Sequence, residues 1–83
     1  PPPDPIMINA SINAALAGVP EDFRAPCLTA ITAAFLRMTS AASKRYPFRY
    51  FCHHGVLGQA REMAAAADPD LAEFLTPAVE RAS

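Results

Sequence analysis

No stretch of this chain is long and apolar enough to span a bilayer, which takes ~18 continuous apolar residues. The nearest approach, Ala25 to Ala42, is interrupted by Arg37 and by Thr29, Thr32, Thr39 and Ser40. A transmembrane segment is excluded on that ground. Strand signals are missing as well, since no segment of length alternates apolar and polar residues, and no internal repeat is visible. CxxC, CxxCH and HExxH are absent, and with them the spacings that let two ligands of one helix or loop converge on a metal. There is no GxSxG, no P-loop, no dinucleotide-binding glycine pattern and no carboxylate pair in an acid–base setting, so nothing in the sequence points to an enzyme.

Large aliphatic side chains are also scarce. The chain is 83 residues long and 52% hydrophobic, but alanine supplies much of that fraction and removes little apolar area from water. A domain this small buries only ~60–65% of the surface its unfolded chain exposes, so the core is thin and support from a crosslink or a partner is expected. The sequence has two cysteines, Cys27 and Cys52, which allow one pairing. A bridge between them would contribute ~3 kcal/mol on the chain-entropy estimate, and the plain alternative is two buried thiols behaving as small hydrophobes. The bridge is the expectation. Together with a first residue that is Pro1 and not methionine, it predicts a mature chain freed of a targeting segment, in an exported, periplasmic or organelle-lumenal setting.

What the sequence does contain is helix punctuation. Residues 1–5 form a proline lead of extended, polyproline type, and residues 6–83 read as a single all-α domain of about four helices. Asp4-Pro5 is a cap followed by proline at the first helical position. Ile8, Ile12, Leu16 and Val19 then share a face until Gly18 and Pro20 end the helix. Residues 19–26 predict a single turn, and Pro26 restarts or kinks the chain into a second helix with a stripe of Leu28, Ile31, Phe35 and Met38. A third helix is expected from near Pro47 to about Ala67, with Phe48, Cys52, Val56 and Met63 inward and with Gly55 and Gly58 marking places of close approach. Asp68-Pro69 repeats the cap-plus-proline start, and Leu71, Phe74 and Leu75 are the apolar contacts of a last segment that Thr76-Pro77 kinks or restarts.

Charge is segregated along the chain. Arg24, Arg37, Lys44, Arg45, Arg49 and Arg61 lie in a span that holds no Asp or Glu, and all 8 acids lie outside it. The densest part is KRYPFRYFCHHG, from Lys44 to Gly55. Lys44, Arg45, Tyr46, Arg49 and Tyr50 have the residue types of an interface hot spot. They predict docking onto a protein subunit of a larger complex, with an anionic surface as the complementary chemistry. A pI of about 6.1 argues against a dedicated nucleic-acid binder.

His53 and His54 follow directly. Consecutive residues on a helix point about 100° apart, so Cys52, His53 and His54 cannot serve one ion and no metal site is expected. One histidine is enough for an axial ligand. His54, one turn from both Tyr50 and Gly58, offers an alternative function as a small-ligand or tetrapyrrole (haem or chlorophyll type) protein, with His53 as the second choice. The leading expectation is a non-catalytic accessory or structural subunit without a cofactor.

Overall fold

The computed structural model describes residues 5–42 and 51–83. These form four helices: α1 Pro5–Ala15, α2 Glu21–Ala42, α3 His54–Ala67 and α4 Pro69–Ala82. There is no strand among the described residues, so the all-α reading holds.

The helix boundaries follow from local chemistry. α1 begins on Pro5, whose missing N–H costs nothing at a helix start. It ends through a turn in which Leu16 donates to the Ile12 carbonyl at 2.9 Å and Val19 to that of Leu16 at 3.0 Å. Gly18 sits there at φ +83°, a conformation that side-chain-bearing residues resist. Leu16 and Val19 are buried and Ile12 packs beside them. The expected inward face is therefore seen in those three residues.

α2 departs from expectation by running without a break from Glu21, with Pro26 inside it. Pro26, the sixth residue of α2, lacks the N–H that would reach the Asp22 carbonyl, so the helix forfeits one rung in its second turn. Packing on both sides holds the helix together. Phe23 lies against Phe74, ring centroids 4.7 Å apart, and Cys27 and Ile31 just beyond are completely buried. Pro77 lies in the middle of a continuous α4, where the buried Leu75 and Ala78 on either side hold the helix against the core.

α3 starts at His54, later than the proline at 47 suggested. Phe51 and Cys52 form a turn, and His53 is the cap, extended at φ −69° and ψ 151°, its side chain accepting from the Gly55 amide. The inward face is then Val56, Leu57, Ala60 and Ala64, with Met63 only partly buried. α3 and α4 are joined through Asp68 alone. Its amide donates to the Ala64 carbonyl at 2.7 Å and its carboxylate accepts from the Asp70 amide at 3.0 Å. One residue thus closes α3 and caps α4.

α2, α3 and α4 enclose the core, and α1 lies against α4. The largest fully buried side chains are Ile31, Leu57, Leu75, Val56 and Cys27, and Ala34, Ala60, Ala64 and Ala78 fill the seams between helices. The alanine-rich composition is therefore spent on close helix approach, while a handful of aliphatics supply most of the buried apolar area.

Gly58 does not mark a close approach. A Cβ placed on it would meet nothing within 4 Å, and its position inside α3 gives it no special backbone role. Gly58→Ala should raise stability by ~0.5–1 kcal/mol, which thermal unfolding would register as a shift of a few degrees upward.

Candidate functional site

The helix arrangement places charge by end. Phe23 against Phe74 joins the starts of α2 and α4. Glu21 and Asp22 in the first turn of α2 therefore lie at the same end as Asp68, Asp70 and Glu73. Acids at helix starts complement the helix dipoles, which explains them without a ligand. Arg24 at this end donates to the side-chain oxygen of Asn13 at 3.4 Å.

The opposite end is where α2 finishes and α3 begins, and the Met38 methyl lies within 3.8 Å of where a Cβ on Gly55 would be. Ala42, the last residue of α2, and Phe51, just before α3, bound the basic-aromatic segment in sequence. Lys44, Arg45, Tyr46, Arg49 and Tyr50 themselves lie outside the described residues, as does the predicted inward turn of Phe48. Arg37, five residues before the end of α2, is exposed.

Phe51 is held in the core just before α3. Its ring packs on Phe35 with centroids 5.1 Å apart and a 53° tilt, and it is buried. The sequence reading passed over it, because a helix counted from Pro47 gives the inward position to Cys52. The available signal was its large apolar side chain between Tyr50 and a half-polar Cys-His-His run.

His53 and His54 are both exposed. Their rings lie with centroids 4.1 Å apart and planes tilted by 43°, and His53 Nδ1 accepts from the Gly55 amide at 3.2 Å. His53 thus caps a helix. Among the described residues no group of three His, Cys, Asp or Glu side chains could hold a metal ion.

The expected Cys27–Cys52 bridge is not formed: both cysteines are free thiols. Cys27 is buried on α2, whereas Cys52 adjoins Phe51, which packs on Phe35, ~12 Å of helix rise beyond Cys27. A disulfide needs Cα atoms within ~7 Å. The crosslink therefore drops out of both the stability and the compartment arguments, and the plain alternative of two small hydrophobes describes the pair.

Burial pushes both thiols up from the ordinary value of 9.0. A group whose pKa is higher folded than unfolded contributes its full share below the unfolded value and loses it as the pH climbs through the folded one. Stability should hold through neutral pH and fall from about pH 9 upward. Cys27→Ala should make that alkaline decline shallower in melting curves taken at successive pH values; an unchanged slope would assign it to other groups.

Among the described residues an open groove of about 250 Å³ lies where α1 meets the core, between Ala14, Ala15, Leu57, Ala78 and Ala82, with Ser11, Cys52 and Arg81 as its polar lining. Arg81 donates to the Ala14 carbonyl at 3.1 Å. Neither His53 nor His54 lines this groove. No helix among the described residues is long and apolar enough to cross a membrane. Compared with protein-family models, curated proteins and solved structures, the chain matches none of them.

Proposed function

We infer that the protein is a non-catalytic interaction module that docks onto an acidic surface of a larger protein assembly through the segment holding Lys44, Arg45, Tyr46, Arg49 and Tyr50. The observation that supports this reading is the gathering of acids at one end of the bundle. Glu21, Asp22, Asp68, Asp70 and Glu73 lie at the end opposite Ala42 and Phe51, the described residues on either side of the segment in sequence, and Phe51 is packed on Phe35. A cationic segment flanked by an aromatic contact has the chemistry to meet an anionic partner, with most of the bundle's own carboxylates at the other end. Arg and Tyr supply broad contact area with polar ends, the composition of interface hot spots.

The experiment is a comparison of the full chain with its Arg45→Ala/Arg49→Ala variant as baits in the native extract, followed by titration of the co-purifying chain. The variant should bind about tenfold or more weakly, by ~1–2 kcal/mol per hot-spot residue. The wild type should lose affinity as salt is raised, because exposed charge pairs are screened. Equal binding by both chains, with equal salt dependence, would leave the segment an ordinary solvated face.

A further inference from the structure

We propose that His53 makes the start of α3 a pH-sensitive element: the neutral imidazole caps the helix, and its protonation removes the cap and opens the first turn. The acceptor at this cap is a ring nitrogen. His53 is extended at φ −69° and ψ 151°, in the region N-cap residues adopt, and its Nδ1 accepts from the Gly55 amide at 3.2 Å. The first backbone rung of α3 comes from the same residue, with the Leu57 amide donating to the His53 carbonyl at 2.9 Å. Asn, Ser and Thr caps keep an acceptor oxygen at any ordinary pH, whereas an imidazole that takes up a second proton has donors only. That proton lands on Nδ1, the atom that holds Gly55. Two N–H groups then point at one another, and the cap becomes a repulsive contact.

The helix itself disfavours an imidazolium at this place. Helix starts attract anions and repel cations, and α2 and α4 follow that rule with Glu21, Asp22 and Asp70, but α3 has no acid in its first turn. The nearest titratable neighbour is His54, its ring centroid 4.1 Å from that of His53, so protonating both would set like charges side by side. From α2 the uncharged Met38 methyl reaches Gly55, and Arg37, next to Met38 in sequence, is exposed. From α4, Arg81 lines the groove together with the half-buried Cys52 and donates to the Ala14 carbonyl. Glu80, the carboxylate on that part of α4, is exposed, where water screens it. The turn is therefore closed while His53 is neutral, and it loosens as the pH falls through the range in which imidazoles titrate. The element that loosens begins directly after Phe51 and Cys52.

The test follows the full chain by nuclear magnetic resonance between about pH 8 and about pH 5, reading imidazole nitrogens and amide hydrogen exchange corrected for the intrinsic pH dependence of exchange. At the upper end His53 should show the tautomer with its proton on Nε2, leaving Nδ1 as the acceptor. On acidification the protection of the Gly55 and Leu57 amides should fall about fivefold or more, as loss of a cap requires. The Asp68 amide, which donates to the Ala64 carbonyl at the far end of α3, should change less than about twofold, because charge effects at a helix start fade within its first turn. His53→Asn supplies a cap oxygen that does not titrate, so this variant should fold and keep the first turn protected across the whole range. A proton on Nδ1 of neutral His53, or equal protection of Gly55 and Leu57 at both ends of the range, would overturn the proposal. So would a His53→Asn variant that loses protection as the wild type does, since the response would then belong to other groups. The measurement needs no partner, and its outcome stands apart from the proposed function.

Discussion

Replacing Ile31 with alanine should lower the stability of the domain by ~2–5 kcal/mol. Ile31 lies midway along the longest helix and has no exposed surface. Its removal loses the transfer free energy of three carbons and leaves a void that α3 and α4 cannot close, because Ala34, Ala60 and Ala64 around the helix seams are already at minimal size and buried. A chain of this length has only ~4–12 kcal/mol in total at ~0.05–0.15 kcal/mol per residue. The variant therefore sits near the threshold of folding. Urea unfolding should show a much lower midpoint with an unchanged slope, since the surface exposed on unfolding hardly changes. Arg37→Ala, on the exposed side of the same helix, should move the midpoint by no more than ~0.5 kcal/mol. If the two substitutions had similar effects, the core would not be where Ile31 places it.

This thin core explains which parts of the architecture were legible in the sequence. Capping chemistry was readable wherever a cap and a proline adjoin. Asp68-Pro69 gave the start of α4 and Gly18 the end of the first helical segment, because both act through a residue's own backbone and near neighbours. Ile31, Phe35, Leu71 and Leu75 were readable as core from spacing alone. Of the two expected alternatives at Pro26 and Pro77, a kink or a restart, the restart is ruled out because α2 and α4 run on through them. Whether Pro26 and Pro77 break a helix depends on the burial of residues on either side, and that is a tertiary property absent from local pattern. The cysteine pairing failed for a related reason. Two helix faces can pack while residues on them stand at different heights, and the count of residues between cysteines does not reveal that offset. The start of α3 was the most consequential miss, because it moved the inward position from Cys52 to Phe51 and turned His53 into a cap. The groove beside Arg81 could not be read at all, since it joins residues from both ends of the chain.

Phe51→Ala should cost ~3–5 kcal/mol and should also impair docking, a combination that distinguishes Phe51 from the rest of the core. Its ring contributes apolar burial plus an aromatic contact with Phe35, tilted in the range that ring quadrupoles favour. It also follows Tyr50 directly in sequence, so its contact with Phe35 fixes the C-terminal boundary of the basic segment. Truncating it frees that end. The segment must then be ordered again when a partner binds, and that conformational cost appears as lost affinity. Phe51→Leu separates the two roles, because leucine retains most of the buried volume at a cost of ~1.5 kcal/mol or less. The leucine variant should fold and bind close to the wild type. The alanine variant, measured well below its lower melting temperature and with helical content matched to the wild type, should bind the partner more weakly with Lys44, Arg45 and Arg49 all present. Equal affinity for the folded alanine variant and the wild type would show that the basic segment recognises its partner without being held at Phe51, and the anchor would then be a feature of stability alone.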